Sequence, residues 1–274
     1  MKKKVYHETK RNWFLYIGGV ITVVMVALIV IGTFWTPYEP GAMDGACKFQ
    51  PPSLAHVMGT DNFGRDIFSR VLQGAGTTLF IAAMVVLIGA VAGTLIGALT
   101  GYFGGLADEL LMRVCDAITA FPGILLALVV IAVLGPGKWN VIWVLGMLFI
   151  PSFARIVRGE YAKCKHLNYI KSARLMGAGH LRIMVRHILP NTIPVLLPAI
   201  SIGFNNAVLA EASMSFLGVG VSPSEASLGR MLSDAQNFIV GGAPWYALCV
   251  GTAIVLLILG FSMLGEGLQQ RRRR

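Results

Sequence analysis

Hydrophobic residues dominate six stretches of the chain, at 13–35, 77–102, 114–134, 139–157, 192–217 and 245–264. Each approaches the ~20 apolar residues with which an α-helix crosses the hydrocarbon core of a bilayer. The pattern predicts an all-α integral membrane protein whose six transmembrane helices occupy 13–268, between a basic leader at 1–12 and a basic tail at 269–274. Three polar intervals are long: 37–76 and 218–244 on the outer side, and 158–191 on the inner side. The turn at 101–113 is internal and the GPGK string at 135–138 external. The first apolar run follows a basic start, as in a signal peptide. It exceeds 20 residues and lacks a small-x-small cleavage site, so it reads as a retained first span.

Periodicity adds detail inside and between the spans. Gly89, Gly93, Gly97 and Gly101 recur every four residues and line one helix face, a ridge that a neighbouring backbone can approach closely; a pore-lining role is the alternative. From Asp66 onward, Ile67, Phe68, Val71 and Leu72 repeat at helical spacing. That spacing predicts an amphipathic helix lying on the outer interface, with Asp61, Gly64, Arg65 and Asp66 at its head. The other outer interval, rich in Gly, Ser and Pro, is expected to re-enter the membrane edge, cover a pathway exit or contact a soluble partner. In the inner interval a short helix around Leu167, Ile170 and Arg174 is interrupted by Gly177 and Gly179. A second follows, with Leu181, Met184, Val185 and Ile188 on one face and Arg182 and Arg186 on the other, ending before Pro190. Such a hairpin carries apolar knobs without a core of its own, which predicts a docked partner. Anionic lipid is the competing occupant, favoured by about 1 kcal/mol per basic residue.

Charge settles the topology. Only 13% of residues are charged, against about 25% in soluble domains. A net charge of +10 suggests nucleic acid only if the basic residues form one patch, and here they are segregated between apolar runs. With the N-terminus inside, only Lys48, Arg65, Arg70, Lys138 and Arg230 of the 23 Lys and Arg fall outside. The positive-inside rule therefore places both termini in the cytoplasm, and no nucleic-acid partner is expected. Cys47, Cys115, Cys164 and Cys249 lie far apart without metal-ligand spacing, so neither a disulfide nor a metal site is expected. Two acids fall within the spans, Asp116 near the inner end of the third and Glu211 deep in the fifth. An unpaired acid at the bilayer centre costs about 3 kcal/mol, which makes both pathway candidates; a structural hydrogen bond is the alternative for Glu211. Pro122, Pro194 and Pro198 are predicted to kink spans three and five and free carbonyls toward the pathway. Phe216, at the outer end of span five, joins that set. Around Asp61, Asp66 and His56 no nucleophile and base arrangement is recognisable, so catalysis is not expected.

The segment YIKSARLMGAGHLRIMVRHILPN resembles the EAA loop of binding-protein-dependent ABC transporter permeases. Lys171, Ser172 and Ala173 occupy the EAA positions, Gly177 the glycine, and Ile188, Leu189 and Pro190 the ending, so the first two EAA letters are absent. Three more strings, GTDNFGRDIFSR, MRVCDAITAFPGILLAL and EASMSFLGVGVSPSEASLGRML, are similar to the dipeptide, oligopeptide and nickel class, specifically its second (C-type) subunit. The similarity spans about 38–268. Leu228 stands where that class usually has Trp, and Glu266 where it has Asp.

The resemblance implies a type I ABC importer permease fold with a cytoplasmic coupling helix. The coupling residues would be Asn168, Tyr169, Ile170, Lys171, Ser172, Ala173, Arg174, Gly177, Ala178, Gly179 and Pro190. It also implies a homologous permease subunit, two ATP-binding subunits, an extracytoplasmic substrate-binding protein, and a place among the lipids of the cell's plasma or inner membrane. This chain has no GxxxxGK[ST] loop, so it is expected to be non-catalytic, with ATP and Mg confined to the partner subunits. Di- and oligopeptides are the expected substrates, with nickel or a metal chelate as the alternative. A self-sufficient secondary transporter or channel is the rival class; it predicts inverted repeats and several midplane ionisable groups.

Overall fold

The structure, a computed structural model, describes residues 13–272. The basic leader at 1–12 and the last two residues of the tail lie outside the described residues.

In a bilayer the backbone can satisfy its N–H and C=O groups only internally, and every apolar stretch folds as helix accordingly. α1 (Trp13–Phe34) leads into an irregular stretch with one 3-10 turn at Gly45–Cys47, and α2 (Ile67–Phe103) follows. α3 (Gly105–Thr119) and α4 (Gly123–Leu134) are bent by 83° about the break between them. α5 (Lys138–Cys164) precedes the short α6 (Asn168–Leu175). One helical run then comprises α7 (His180–Arg182), a π-helical segment (Ile183–Ile188) and α8 (Leu189–Phe216). α9 (Leu228–Gln236) and α10 (Pro244–Arg272) complete the order. Among the described residues five helices are each long and apolar enough to cross a membrane, and the bent pair α3/α4 makes a sixth where it is counted as one span. The end of the bundle that carries α6 and α7 is called the hairpin end below, and the opposite end the far end.

α2 and α5 run parallel and form the central contact, because the glycine ridge of α2 faces α5. A Cβ on Gly93 would lie 2.6 Å from Cβ of Phe153 and 2.8 Å from the Ile150 carbonyl; one on Gly101 would lie 2.5 Å from the Arg158 carbonyl. The ridge packs helices and does not line a pore. α1 lies antiparallel against α10, with Gly18 on Met263 and Gly260 on Thr22.

Three expectations are corrected. No separate interface helix follows Asp66: Ile67, Val71, Leu72 and Ala75 are buried, so these residues are the first turns of one 37-residue α2. The apolar face read as lipid-facing packs inward instead. Asp66 caps this helix, its Oδ2 accepting from Ser69 N (2.8 Å) and Ser69 Oγ (2.7 Å), while Oδ1 faces His56 Nδ1 at 2.9 Å. Asp66→Ala is expected to lower stability by ~1 kcal/mol, read as a lower thermal midpoint in detergent. Pro190 does not end a helix. It lacks an N–H and crowds the carbonyl four residues back, and the wider π turn immediately before it, with Leu189 N bonded to the Met184 carbonyl, lets the run continue. Pro122 goes beyond a kink, since α3 stops at Thr119 and α4 restarts at Gly123, whereas Pro194 and Pro198 sit inside an unbroken α8.

Candidate coupling surface

α5 carries Tyr161 and Cys164 on its final turns, and α2 ends beside them with Ala98 and Tyr102. Ile170 of α6 and Ile183, Met184 and Ile188 of the π segment close over these side chains in a second buried cluster. The hairpin therefore has a core of its own, contrary to expectation, and the faces divide differently. Ile170, Ala173, Ile183, Met184 and Ile188 point inward, while Leu181 and Val185, expected to share the face of Met184 and Ile188, are 74% and 53% exposed. Met184 and Ile188 keep the expected inward face and Ile183 joins them, while Val185 inside the π turn and Leu181 just before it face out.

Hydrogen bonds fix the hairpin to its base. Tyr161 OH donates to the Met184 carbonyl at 3.0 Å, and Tyr102 OH lies 2.9 Å from His180 Nδ1. Asn191 Nδ2 donates to Tyr169 OH and to the His187 carbonyl, both at 2.9 Å. Burial, then the neighbouring Cys164, pushes the Tyr169 phenol above its ordinary value, against the opposing bond from Asn191. The phenol stays protonated at neutral pH and faces the His187 carbonyl at 3.5 Å.

The tip is set by one backbone motif. Gly177 has φ +84°; its N–H donates to the Arg174 carbonyl, and Ala178 N–H donates to the Ala173 carbonyl, both at 3.0 Å. This paired 5→2 and 6→1 closure is the Schellman ending of a helix, which requires the left-handed conformation at that glycine. The turn leaves Leu175 88% and Met176 81% exposed beside Leu181. Asn168, Lys171, Ser172, Arg174, Arg182 and Arg186 are exposed around them. Gly179 extends the turn, Ala178 packs partly against the hairpin core, and Pro190 sits exposed on the base. A bare apolar tip ringed by cations, standing on a buried and hydrogen-bonded base, can seat in a complementary cleft and transmit displacement. Sequence reading missed Tyr102, Tyr161, Cys164 and Ile183. Tyr102, directly beyond the glycine ridge, is the signal that marks the base.

The pathway candidates do not converge. Glu211 is fully buried and holds three elements together: Thr78 Oγ1 of α2 donates to its Oε2 (2.9 Å), Ser215 Oγ to its Oε1 (2.7 Å), and Leu228 N of α9 donates back to Thr78 Oγ1 (3.3 Å). It is a buried packing hub, the structural hydrogen-bonding alternative. Glu211→Leu should cost ~2 kcal/mol by orphaning two buried hydroxyls while Glu211→Gln retains most of the stability, measured as thermal midpoints of the two variants. Asp116 is not isolated, since Arg155 Nη2 lies 2.9 Å from its Oδ1 and 2.6 Å from Thr119 Oγ1. Arg158 grips Asp108 with both nitrogens, at 2.5 and 2.7 Å, so α3 is fastened to α5 twice. Pro122 is exposed at the α3/α4 break, and Phe216 is half-buried at the end of α8.

At the far end Asp61 is fully buried inside its own turn. Its Oδ1 accepts from Phe63 N (2.8 Å) and Arg65 N (2.9 Å), and its Oδ2 from Arg65 Nε (2.7 Å). Gly64, at φ +75°, closes that turn over Asp44. The set Asp61, Gly64, Arg65 and Asp66 thus builds the entry to α2, and its two carboxylates are not displayed. The other long interval folds as α9, whose Leu228, Met231 and Ala235 are buried.

Residues 93–274 match the profile of the family described as binding-protein-dependent transport system inner membrane component. The chain is 42% identical over 253 residues to a putative peptide transport system permease protein of Brucella suis, covering 92% of this chain and 85% of that one. It is 40% identical to a glutathione transport system permease protein of Pectobacterium atrosepticum, covering 92% and 84%. Its fold is similar to that of an inward-facing methionine ABC transporter, with a TM-score of 0.60 at 21% identity over 74% of this chain and 96% of that one.

Proposed function

This chain belongs to the family of binding-protein-dependent transport system inner membrane components, and from that premise we propose that it forms half of a translocation pathway for di- and oligopeptides. The coarser function is established: it is a multi-pass permease subunit of an ABC importer, working with ATPase and binding-protein subunits. The finer assembly is our reading. A homologous permease subunit supplies the other half, two ATP-binding subunits dock at the hairpin end, and a substrate-binding protein delivers cargo at the far end. ATP and Mg act only in the ATP-binding subunits, and this chain is non-catalytic. The hairpin end is then cytoplasmic, in agreement with the clustering of Arg and Lys there.

The observation that carries this reading is the exposed tip of Leu175, Met176 and Leu181 on a base that is itself buried. An isolated apolar tip invites capture, and a rigid base lets the captured tip move helices. Lys171 at the acidic position of the loop means that docking relies on apolar contact and shape, with charge secondary. Peptide cargo is supported by relatives named for peptide and glutathione transport.

Reconstitution with the cognate ATP-binding subunits and binding protein tests the assembly: uptake of peptide into proteoliposomes should require ATP. Flux by this chain alone without ATP would overturn it. Native mass spectrometry with metal analysis of the binding protein tests the cargo, and recovery of nickel or a metallophore there would replace peptide with the metal chelate.

A further inference from the structure

Between α5 and α8 lies a cavity of about 320 Å³, of the size of small-ligand pockets, ~300–1,000 Å³. Its wall on α5 is Phe149, Ser152 and Ile156, and on α8 Ala199, Ile202 and Asn206. These are residues one helical turn apart on each helix, so both present a single face. Ser152 and Asn206 are exposed, and among the described residues neither side chain has a hydrogen-bond partner. Both lie well inside spans, where an exposed primary amide facing hydrocarbon would lose its water partners at a large cost.

The neighbouring asparagine shows the contrast. Asn205 turns toward α10, where its amide nitrogen can donate to the Ile258 carbonyl (3.3 Å) and its oxygen accept from Ser262 N (3.2 Å). One step round the helix, Asn206 has no such partner. Phe153, beside Ser152, is held between Gly93 of α2 and Gly203 of α8. That packing fixes the α5 face on which Ser152 opens to the cavity.

Resting on the permease reading above, we propose that Ser152 and Asn206 form a water-accessible, uncharged hydrogen-bonding constriction in this half of the pathway that receives the amide groups of a peptide. No charged side chain lines this cavity. A primary amide offers both donors and an acceptor, and a hydroxyl offers one of each, so the pair matches a peptide backbone whatever its side chains. The first cation below is Arg155, one turn on along α5 and already paired with Asp116. Selection by side-chain charge is thereby left to other subunits.

The test uses the assembled transporter in proteoliposomes, with Cys47 and Cys249 changed to Ser; Cys115 and Cys164 are buried. Ser152→Cys and Asn206→Cys are treated with a cationic, water-soluble methanethiosulfonate, and Val23→Cys on the exposed face of α1 is the lipid-facing control. Labelling at 152 and 206 at least about tenfold faster than at 23, and altered by vanadate trapping of the ATP-binding subunits, is expected. Rates equal to the control in both states would overturn the proposal in favour of a dry subunit contact. In the same system, peptide uptake should fall about tenfold for Asn206→Leu and distinctly less for Asn206→Gln, which keeps the amide, the difference expected for loss of one hydrogen-bonding group. Equal uptake by the Leu and Gln variants would overturn the amide contact. A wild-type complex that takes up no peptide would sink the peptide reading instead, and the labelling rates would still decide whether the cavity is wet.

Discussion

Gly177→Trp should reduce ATP-driven uptake by about tenfold or more while the chain still inserts and folds. Two effects combine at this position. The backbone sits at φ +84°, where any L side chain costs ~1–2 kcal/mol. A Cβ there meets nothing within 4 Å in this chain, so an indole would not disturb the hairpin core. It would project from the same tip as Leu175 and Met176, into the space that the partner must occupy. Loss of ~1.4 kcal/mol of docking free energy is already tenfold. Gly177→Ala separates the effects, since it carries the strain with almost none of the bulk. Its uptake should fall only a few-fold, with insertion judged by yield in the membrane fraction. If Gly177→Trp transported normally with the ATP-binding subunits bound, the tip would not be the coupling contact.

Gly93→Leu should abolish folded protein. The substituted Cβ alone would fall 2.6 Å from Cβ of Phe153, 2.8 Å from the Ile150 carbonyl and 2.9 Å from Ala154 N. Two of these are backbone atoms of a helix that cannot yield locally, so α2 and α5 must separate. Overpacking typically costs ~1–3 kcal/mol, and here Gly89, Gly97 and Gly101 share the same contact, so one wedge opens the whole seam. The expected result is loss of the monodisperse peak in size-exclusion chromatography. Gly19→Leu, on α1 with nothing within 4 Å of its Cβ, is the control and should behave as wild type.

The spans and the ridge were legible in the sequence because both depend on one-dimensional periodicity. Runs of about 20 apolar residues can only be helices in lipid, and glycines every four residues can only share a face. The hairpin was half legible. Gly177 marks its turn, but the buried set gains Ile183 and loses Leu181 and Val185, because the face is selected by the packing against the ends of α2 and α5, which a local periodicity does not carry. For Asp116 and Glu211 the sequence left a pathway role open, because an acid in an apolar stretch looks functional until its partners are known. Those partners are near in space and hidden in sequence, as with Thr78, which meets Glu211 across 133 residues.

The continuous run from His180 to Phe216 has a mechanical meaning. At 1.5 Å per residue, its 37 residues form a rod of about 55 Å. One end bears on the hairpin and the other holds Glu211, which ties down α9. No loop lies between them to absorb a stroke. Apart from the π turn, a displacement delivered at the hairpin end should therefore reach the far end through continuous helix. The π turn, with its less economical hydrogen bonding, is the joint in that rod at which a slip of one register would be cheapest.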